Sequence, residues 1–535
     1  MLLLLPNGSS ATAETSESPY LNGIASTTSA AGFVHPGVFL GLPELEAVRR
    51  EIVAGGKPQA TIFAWLKSTS NRDLVERKPV WDVYSDAQNR SSPCDPHSSH
   101  GCVIDAGYGG EKGRNHTNST KRDIGAQINS AYTNALLYYY SGGDEYYAQN
   151  AVRTLNAYGH VLKGFASTDA NGHVGDLFAA WMSQTLVRAA EIIRYTYVPT
   201  PGSESFDVES FERMLRTAFV PRLWEGTAHI NNWRTSAAEG LMNIGIFLDD
   251  RNLYDRALAI WRDVTPAYIY VLSDGERPSS LLQGSEAQKD CSWIHNFSRA
   301  CKKDPKVEPG LVYQNGQNQE ICRDMWHSSA GVGGIINAAE TAYLQGDDLY
   351  GEEESRMMTG LSYMVQISRG VEHAGYPDDF CADAAEYGGV GSSGLSFPTE
   401  WKDFEPLSAV VAYNHYFERK GLAFPLVKIA GYHDTGPHDP VAAFIDQELS
   451  GPHDTRDYVT SWQVLTHHGV GAGVPPHARP LTRPSASPSA DWLGAASKAS
   501  EESIGGAVRN ALLFVSLIAV VALLAAQGRR KRPLE

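Results

Sequence analysis

The spacing of apolar residues between Gly32 and Val470 constrains the fold of this chain more than any other feature. Apolar side chains recur there at intervals of three and four residues, and few segments alternate with a period of two. This spacing predicts an all-α fold. The clearest predicted helices run from Ile124 to Tyr140, Leu177 to Tyr197, Phe206 to Leu223, Ala237 to Leu248, Leu253 to Ile269, Gly331 to Leu344, and Leu407 to Lys420.

A helix–turn–helix phrase recurs within this region. It reads LLYYYSGGDEYY at 136–147, IFLDDRNLY at 246–254 and AYLQGDDLY at 342–350. Each copy joins a helix end to Gly or Asp turn residues, an acidic first turn and a tyrosine that can pack on the next helix. Such repeats are typical of helical hairpins that bury one another's apolar faces. We therefore predict a single large α/α toroid, an incomplete barrel of helical hairpins, over residues 32–470. A plain helical bundle is the alternative.

The two ends of the chain differ from this body. Residues 1–31 open with MLLLLP, which is similar to a truncated signal peptide, and are otherwise predicted to be disordered. Residues 471–506 are rich in Pro, Ser and Ala, a composition typical of a linker. The apolar run at 511–526 predicts a transmembrane helix over 507–528, and the basic tail 529–535 predicts a cytosolic C-terminus. A cleaved lipid-anchor signal is the alternative.

Composition favours an extracellular or cell-surface protein, single-pass and type I. The net charge of −16 argues against general affinity for nucleic acid. Six cysteines and several Asn-x-Ser/Thr sequons fit disulfides and glycosylation in an oxidising secretory route. The cysteines are Cys94, Cys102, Cys291, Cys301, Cys322 and Cys381, and the sequons begin at Asn7, Asn89, Asn115, Asn118 and Asn296. Neither zinc-finger nor HExxH spacing occurs, so we predict no metal and no cofactor.

Two polar segments stand out against the helical background. The first is HINNWR at 229–234, in which adjacent amides, an aromatic ring and cationic groups can hold a carboxylate and stack a sugar. Its alternative is structural, with Asn231 or Asn232 capping a helix and Trp233 in the core.

The second segment is YQNGQNQEICRDMWH at 313–327. If it is helical, its charged residues share one face and present a cation, a base and an orienting carboxylate together. These residues are Glu320, Arg323, Asp324 and His327. A purely structural ion-pair network is the alternative.

The residue types in these segments suit one reaction better than others. Asn, Gln and Arg can neutralise a uronate carboxylate, which acidifies the neighbouring C–H bond, and His or Tyr can move the protons. β-Elimination uses this set, whereas glycoside hydrolysis uses paired carboxylates. The carboxylates available for hydrolysis are Asp249, Asp250, Glu320 and Asp324, and the pair at 249–250 is interpreted as structural because it lies in a repeated turn.

NNW followed at a distance by NGxxQExxRDxxH resembles the alginate-lyase superfamily of polysaccharide lyases. The resemblance covers residues 35–435 and is strongest over 231–350. It implies an α/α toroid that cleaves a uronate-containing polymer, such as alginate or glucuronan, and an anionic polysaccharide as substrate.

The resemblance also implies roles for individual residues. Asn232, or Asn231 in its place, is expected to neutralise the carboxylate, with His327 as base, Arg323 as a substrate clamp and Tyr376 as acid. The residues expected to bind substrate are Asn231, Trp233, His229, Gln319, Glu320 and Tyr413.

The motif departs from the better-known Asn-Asn-His form, because Trp233 follows the two asparagines. The base therefore stays open between His327, His229 and a tyrosine, and Tyr413 is the reserve for the acid. The alternative functions are an α/α-toroid glycoside hydrolase and a non-catalytic carbohydrate-binding surface protein.

Overall fold

The computed structural model describes residues 21, 23–68, 75, 102–105, 118–167, 174–279, 293, 313–321, 325–373, 408–428, 439–448 and 462–471. The chain divides into two units, 1–479 and 480–535, and every described residue belongs to the first. The predicted transmembrane helix, the cytosolic tail and the cysteine side chains lie outside the described residues. Among the helices that are described, none combines the length and apolar character needed to span a bilayer.

Helices dominate the described chain. They are α1 Leu42–Ala54, α2 Gln59–Leu66, α3 Lys121–Tyr140, α4 Glu145–Val161, α5 Val174–Thr196, α6 Val208–Met214, α7 Val220–Gly226, α8 Asn231–Phe247, α9 Arg251–Tyr268, α10 Met325–Leu344, α11 Leu349–Glu352, α12 Glu354–His373, α13 Ser408–Tyr413, α14 Pro440–Glu448 and α15 Gln463–His467. Short π-helical turns, Leu215–Phe219 and Asn414–Arg419, continue α6 and α13. Every predicted helical stretch overlaps one or more of these segments, and the stretch from Phe206 to Leu223 is divided between α6, a π-helical turn and α7. The all-α prediction is confirmed.

The strands are short. They are β1 Thr27–Thr28, β2 Val34–His35, β3 Gly37–Val38, β4 Leu40–Gly41, β5 Cys102–Asp105, β6 Asn118–Thr120 and β7 Gly164–Ser167. β1 pairs with β2 and β3 with β4, both antiparallel, while β5 lies between β6 and β7 in a parallel sheet. Segments of two to four residues are too short to show an alternating pattern, which is why the sequence did not predict them.

The helices form two layers around a ring. In the inner layer, α3, α5, α8, α10, α13, α15 and α1 each contact the next, and α1 returns to contact α3. Outer helices pack against this ring, with α4 on α3, α9 on α8 and α12 on α10. Consistent with an interior position, α5 is buried around nearly its whole circumference. This arrangement is the predicted α/α toroid.

Neighbouring inner helices run in the same direction. At the amino end of α5, Asp176 lies beside His229, two residues before α8 begins. At the carboxyl end of α5, Arg194 donates a hydrogen bond to the carbonyl of Phe247, the last residue of α8. α10 follows α8 in the same sense, because Thr341 near its carboxyl end contacts Asn243 of α8. The outer helix α9 runs the opposite way, with Tyr254 packed against the carboxyl end of α8. Helices α5, α8 and α10 therefore begin at the same end of the ring, whereas α1 begins beside the β3–β4 hairpin at the other end.

The recurring turns behave as the sequence predicted. The acid in each turn caps the helix that follows, with Asp144 capping α4, Asp250 capping α9 and Asp348 capping α11. The tyrosines of the three phrases, Tyr147, Tyr254 and Tyr350, are buried. Each cap satisfies a backbone N–H that the helix itself cannot, and its loss typically costs about 1 kcal/mol. The Asp249/Asp250 pair is thus committed to structure, since Asp249 contacts His35 and Asp250 caps α9.

A small hairpin formed by β3 and β4 packs against the carboxyl halves of the inner helices. The Gly37 N–H donates to the Glu191 carboxylate at 3.1 Å, and the Phe39 N–H donates to the Thr341 hydroxyl at 3.1 Å. The Phe39 ring is fully buried, with its centroid 3.7 Å from the guanidinium carbon of Arg188. These contacts close the ring at the end where the inner helices finish.

His35 joins this hairpin to the ring through two carboxylates. Its Nδ1 lies 2.6 Å from Glu191 and its Nε2 3.3 Å from Asp249, and the imidazole stacks on Tyr195 with the ring centroids 4.3 Å apart. Burial acts to lower the pKa of His35, but the hydrogen bonds and charges of Glu191 and Asp249 outweigh it and raise that pKa above its ordinary value. The protonated imidazole therefore stabilises the closed end of the ring.

We predict that His35→Gln abolishes a pH-dependent part of the stability. A raised pKa gives stability that is complete below the ordinary histidine value and is lost as pH rises through the folded-state value. Denaturant unfolding should show that the free energy of unfolding of the variant is lower than that of wild type by roughly 1.5–3 kcal/mol at about pH 6. This difference should shrink at about pH 9.

His415→Gln is the control for this experiment. His415 is also buried and stacks on Tyr350, but burial lowers its pKa to about 2, so it stays neutral across the range tested. The stability change in this control should be the same at both pH values. A His35→Gln difference that is equally constant would contradict the charged-imidazole interpretation.

Candidate active site

Three inner helices begin close together at the end of the ring away from the hairpin. Asp176 in the first turn of α5 lies near His229, just before α8. Asn232 in the first turn of α8 contacts Glu320, which precedes α10. The amino end of a helix carries partial positive charge, so converging helix starts favour carboxylates. Two of the carboxylates held at this end, Asp176 and Glu320, are buried and belong to the protein itself.

Glu320 holds the side chain of Asn232 in one orientation. The Asn232 Nδ2 lies 2.8 Å from Oε1 and 3.0 Å from Oε2 of Glu320, and the Asn232 backbone N–H donates to Oε2 at 2.9 Å. The Tyr268 hydroxyl donates to the same Oε2 at 3.1 Å. An ionised carboxylate only accepts hydrogen bonds, so the NH2 end of the Asn232 amide must face it. The buried Oδ1 of Asn232 accepts no hydrogen bond from the described residues.

Asn231 occupies a strained position beside this contact. Its φ is +58°, a left-handed conformation that non-glycine residues seldom adopt. Its backbone N–H donates to Oε1 of Gln319 at 3.0 Å, and its Oδ1 accepts the Trp233 N–H at 3.4 Å. The oxygen of this amide therefore faces the helix turn, and the NH2 is its donor end. Strain of this kind is often found at functional sites.

The segment that carries Gln319 and Glu320 is not part of α10. Gln319 N–H donates to the Tyr268 carbonyl, Glu320 N–H donates to the Asn318 side chain, and the helix begins only at Met325. The predicted helical face from Glu320 to His327 is therefore wrong. Backbone contacts with the end of α9, rather than helical spacing, bring the Glu320 carboxylate to α8.

Tyr268 links this segment to α10 at very close range. Besides its hydrogen bond to Glu320, its hydroxyl lies 3.4 Å from the His327 carbonyl. A side chain at Gly331 would place its Cβ 2.0 Å from the Tyr268 hydroxyl oxygen, so only glycine fits there. Gly331 thereby allows the tyrosine to reach Glu320.

Aromatic rings and histidines surround the amides. His229 lies against Trp233 with ring centroids 4.5 Å apart, and His327 lies edge-on to Trp326 at 4.7 Å. Trp326 also packs on Trp181 of α5 at 5.0 Å. His229 is 28% exposed, whereas His327 is only 9% exposed. Half-buried indole rings are suited to stacking against the apolar face of a sugar.

Asp176 supports His229 from beneath. Its Oδ2 lies 3.6 Å from the His229 Nε2, and its Oδ1 lies 3.3 Å from the Arg222 guanidinium. Arg222 is held in turn by the Phe165 carbonyl at 3.0 Å. The arrangement is a buried carboxylate between a cation and an imidazole.

The structure brings together most of the residues predicted for the site. Asn231, Asn232, Trp233, His229, Gln319, Glu320 and His327 all lie around the starts of α8 and α10. Glu320, predicted to bind substrate, is fully buried and instead holds Asn232. Arg323 and Tyr376 lie outside the described residues.

Tyr413 is not brought to this end of the ring. It ends α13 and stacks on Phe417, with the ring centroids 4.7 Å apart. Its near neighbour His415 packs on Tyr343, in the last turn of α10, and on Tyr350 beyond it. His327 stands in the first turn of that helix, so the two ends are separated by about 24 Å at 1.5 Å per residue. The helical period that placed Tyr413 on a helix could not show which end of the ring it occupies.

Sequence reasoning missed Asp176, Trp181 and Trp326. Trp326 stood inside the second motif, directly before His327, and that position was a usable signal. Asp176 and Trp181 lie in an otherwise apolar helix some fifty residues from the first motif, and only the packing of α5 on α8 brings them to it.

With this geometry established, the chain was compared with known proteins. Residues 67–289, less than half of the chain, match the model of the alginate lyase family. The matched region includes Asp176 and the HINNWR segment and ends before the segment around Glu320. No curated protein matches the chain.

Two solved structures resemble the fold loosely. An alginate lyase from Bacteroides ovatus is 14% identical, with a TM-score of 0.41, and the match covers 72% of this chain and 93% of that one. Alginate lyase A1-III from Sphingomonas species A1 is 14% identical, with a TM-score of 0.33, covering 67% and 90%. Neither likeness bears on the residues of the site. Residues 67–289 are thus similar to the alginate lyase family, and the described helices form the ring that the sequence predicted.

We predict that Glu320→Gln lowers turnover more than substrate affinity. Glutamine presents an NH2 group where Asn232 needs an acceptor, so the Asn232 amide loses its fixed orientation. Misplacement of a site by about 1 Å can cost roughly 100-fold in rate. Steady-state formation of unsaturated product should therefore show a kcat about 10- to 100-fold lower, with KM changed much less.

Glu44→Gln is the matched control. Glu44 is equally buried and accepts the Gly41 N–H at the start of α1, a capping role that glutamine also performs. This variant should keep wild-type turnover. If Glu320→Gln did the same, the carboxylate would have no part in organising the site.

Proposed function

We propose that the protein is a polysaccharide lyase that cleaves a uronate-containing polymer of the alginate or glucuronan type by β-elimination. The observation that carries the proposal is the pair of amides at the start of α8, held in place by Gln319 and Glu320 and adjoined by two histidines and a tryptophan. Amide, imidazole and indole groups are the chemistry that a uronate elimination needs. The alginate lyase family match supports the same substrate class.

In this mechanism the substrate carboxylate is bound by an amide NH2 group. From the sequence, we expected Asn232 to have this role, with Asn231 in its place as the other choice. Glu320 already holds the Asn232 NH2, and its negative charge would repel a second carboxylate there. The Asn231 side chain accepts the Trp233 N–H through its Oδ1. We therefore assign carboxylate binding to Asn231 and a positioning role to Asn232.

The sugar ring next to the cleaved bond is proposed to lie over Trp233. Trp233 is half-buried and packs on His229, so one edge of the platform carries a proton-transferring group. The two buried acids near this platform, Asp176 and Glu320, are both held by protein donors. The hydrolase alternative requires two carboxylates that face the glycosidic bond. The geometry of these two acids favours elimination.

The first test is incubation of the protein with alginate, glucuronan and a neutral β-glucan. Elimination leaves a conjugated unsaturated uronate, so ultraviolet absorbance should rise with one or both uronans and stay flat with the neutral polymer. Asn231→Ala should lower this rate about 100-fold, by analogy with the loss of one stabilising donor. New reducing ends without absorbance would identify a hydrolase, and binding without any product would identify a non-catalytic protein.

We also propose an extracellular or cell-surface location. The sequons and the basic tail after the apolar segment support it. If the protein follows the secretory route in its native host, treatment with an N-glycan-removing enzyme should reduce its apparent mass. An unchanged mass, with the protein recovered in the cytosolic fraction, would rule out this location.

A further inference from the structure

We infer that His229, positioned by Asp176, is the group that takes the proton from the uronate. This inference rests on the elimination proposed above and adds the identity of the base, which the sequence left open between His327, His229 and a tyrosine. The contacts of Asp176 and His229 with their neighbours carry the argument.

Asp176 is built to hold a negative charge inside the protein. It is fully buried in the first turn of α5, where the helix dipole favours an anion, and the Arg222 guanidinium lies 3.3 Å away. Arg222 itself is shared with the exposed Glu225 at 2.9 Å and with the Phe165 carbonyl. A buried carboxylate with this support can orient a neighbouring imidazole without being protonated by it.

His229 turns its Nε2 toward that carboxylate. The distance from Nε2 to the Asp176 Oδ2 is 3.6 Å, which is an ion-pair distance rather than a hydrogen bond. The imidazole is partly exposed and tilted by 59° against Trp233, the proposed sugar platform. It precedes Asn231 by two residues, so base and carboxylate-binding amide come from one short segment. Proton-transferring enzymes also pair a carboxylate with an imidazole, with the two groups at hydrogen-bond distance.

His327 is less suited to the same role. Its side chain is buried to 9% exposure and meets the edge of Trp326, and its contact with Tyr268 uses the backbone carbonyl rather than the ring. A general base must reach the substrate carbon, and His229 is the more accessible of the two histidines.

The proposed step balances without any cofactor. His229 removes the proton from the ring carbon that bears the carboxylate, and the electrons of that C–H bond form a double bond to the adjacent carbon. The bond from that adjacent carbon to the glycosidic oxygen breaks. The imidazolium then gives its proton to the departing oxygen, which leaves an unsaturated uronate, a new sugar hydroxyl and a neutral imidazole.

His229→Gln tests the assignment against a matched control, His160→Gln. His160 is also a partly exposed histidine paired with an aspartate, at 2.6 Å from Asp207, but it lies on the outer helix α4. We expect His229→Gln to lower kcat on the cleaved uronan by about 100- to 10,000-fold with KM within about threefold, and His160→Gln to keep wild-type kinetics.

Asp176→Asn separates positioning from structure. Provided its circular dichroism and melting curve show a folded protein, we expect kcat to fall about tenfold or more. KM should stay within about threefold of the wild-type value, because in this proposal Asp176 contacts the base rather than the substrate. Arg222 and Glu225 are unchanged in this variant, so they do not account for the loss.

Each outcome decides the matter. Wild-type kcat in His229→Gln, or a loss seen only in KM, would overturn the assignment while leaving the elimination itself intact. A large kcat loss in His327→Gln but not in His229→Gln would transfer the role to His327. Failure of the wild-type protein to produce absorbance from any uronan would instead overturn the proposed function.

Discussion

Glu320 places a charged carboxylate in the interior of the protein, at the amino end of α8, and the arrangement of the site depends on how that charge is satisfied. Its oxygens accept the Asn232 side-chain and backbone N–H groups and the Tyr268 hydroxyl. A buried charge without such donors would be strongly destabilising, so the groups that donate to Glu320 must stay in position. Asn232 is oriented because the fold must satisfy Glu320. Asp176 is held by Arg222 at the start of α5, and His229 lies 3.6 Å from it.

The toroid makes this possible because its inner helices α5, α8 and α10 are parallel. Parallel neighbours bring several helix starts to one end of the ring, where their partial positive charges support Asp176 and Glu320. The other end is closed by the β3–β4 hairpin, whose backbone N–H groups bond to Glu191 and Thr341. The hairpin therefore closes one end of the ring, and the candidate site lies at the other end. The order of the helices along the chain determines which residues lie at each end.

Local features were predictable from the sequence, and long-range ones were not. The helical period and the turns with Asp144, Asp250 and Asp348 depend on neighbours in the chain, and the structure agrees with them. Two site segments were also recognisable from their concentrated amides. The Glu320–Asn232 contact spans 88 residues and uses a non-helical backbone, so a helical-face argument could not find it. The structure does not bring Tyr413 to the predicted site, and the reason is similar. Periodicity assigns a residue to a helix face but not to an end of the ring.

An acidic protein that acts on a polyanion needs a site whose own acids do not repel the substrate. The net charge is −16, yet the two acids nearest the proposed platform are buried and bonded to amide, hydroxyl or guanidinium donors. The helix starts and Arg222 offset the charge of these acids at distances of a few ångströms. These distances are shorter than the length over which salt screens exposed charges. Recognition of a uronate would then depend on short-range contacts with His229, Trp233 and the Asn231 amide. Long-range attraction would contribute little, because the overall charge has the wrong sign for it.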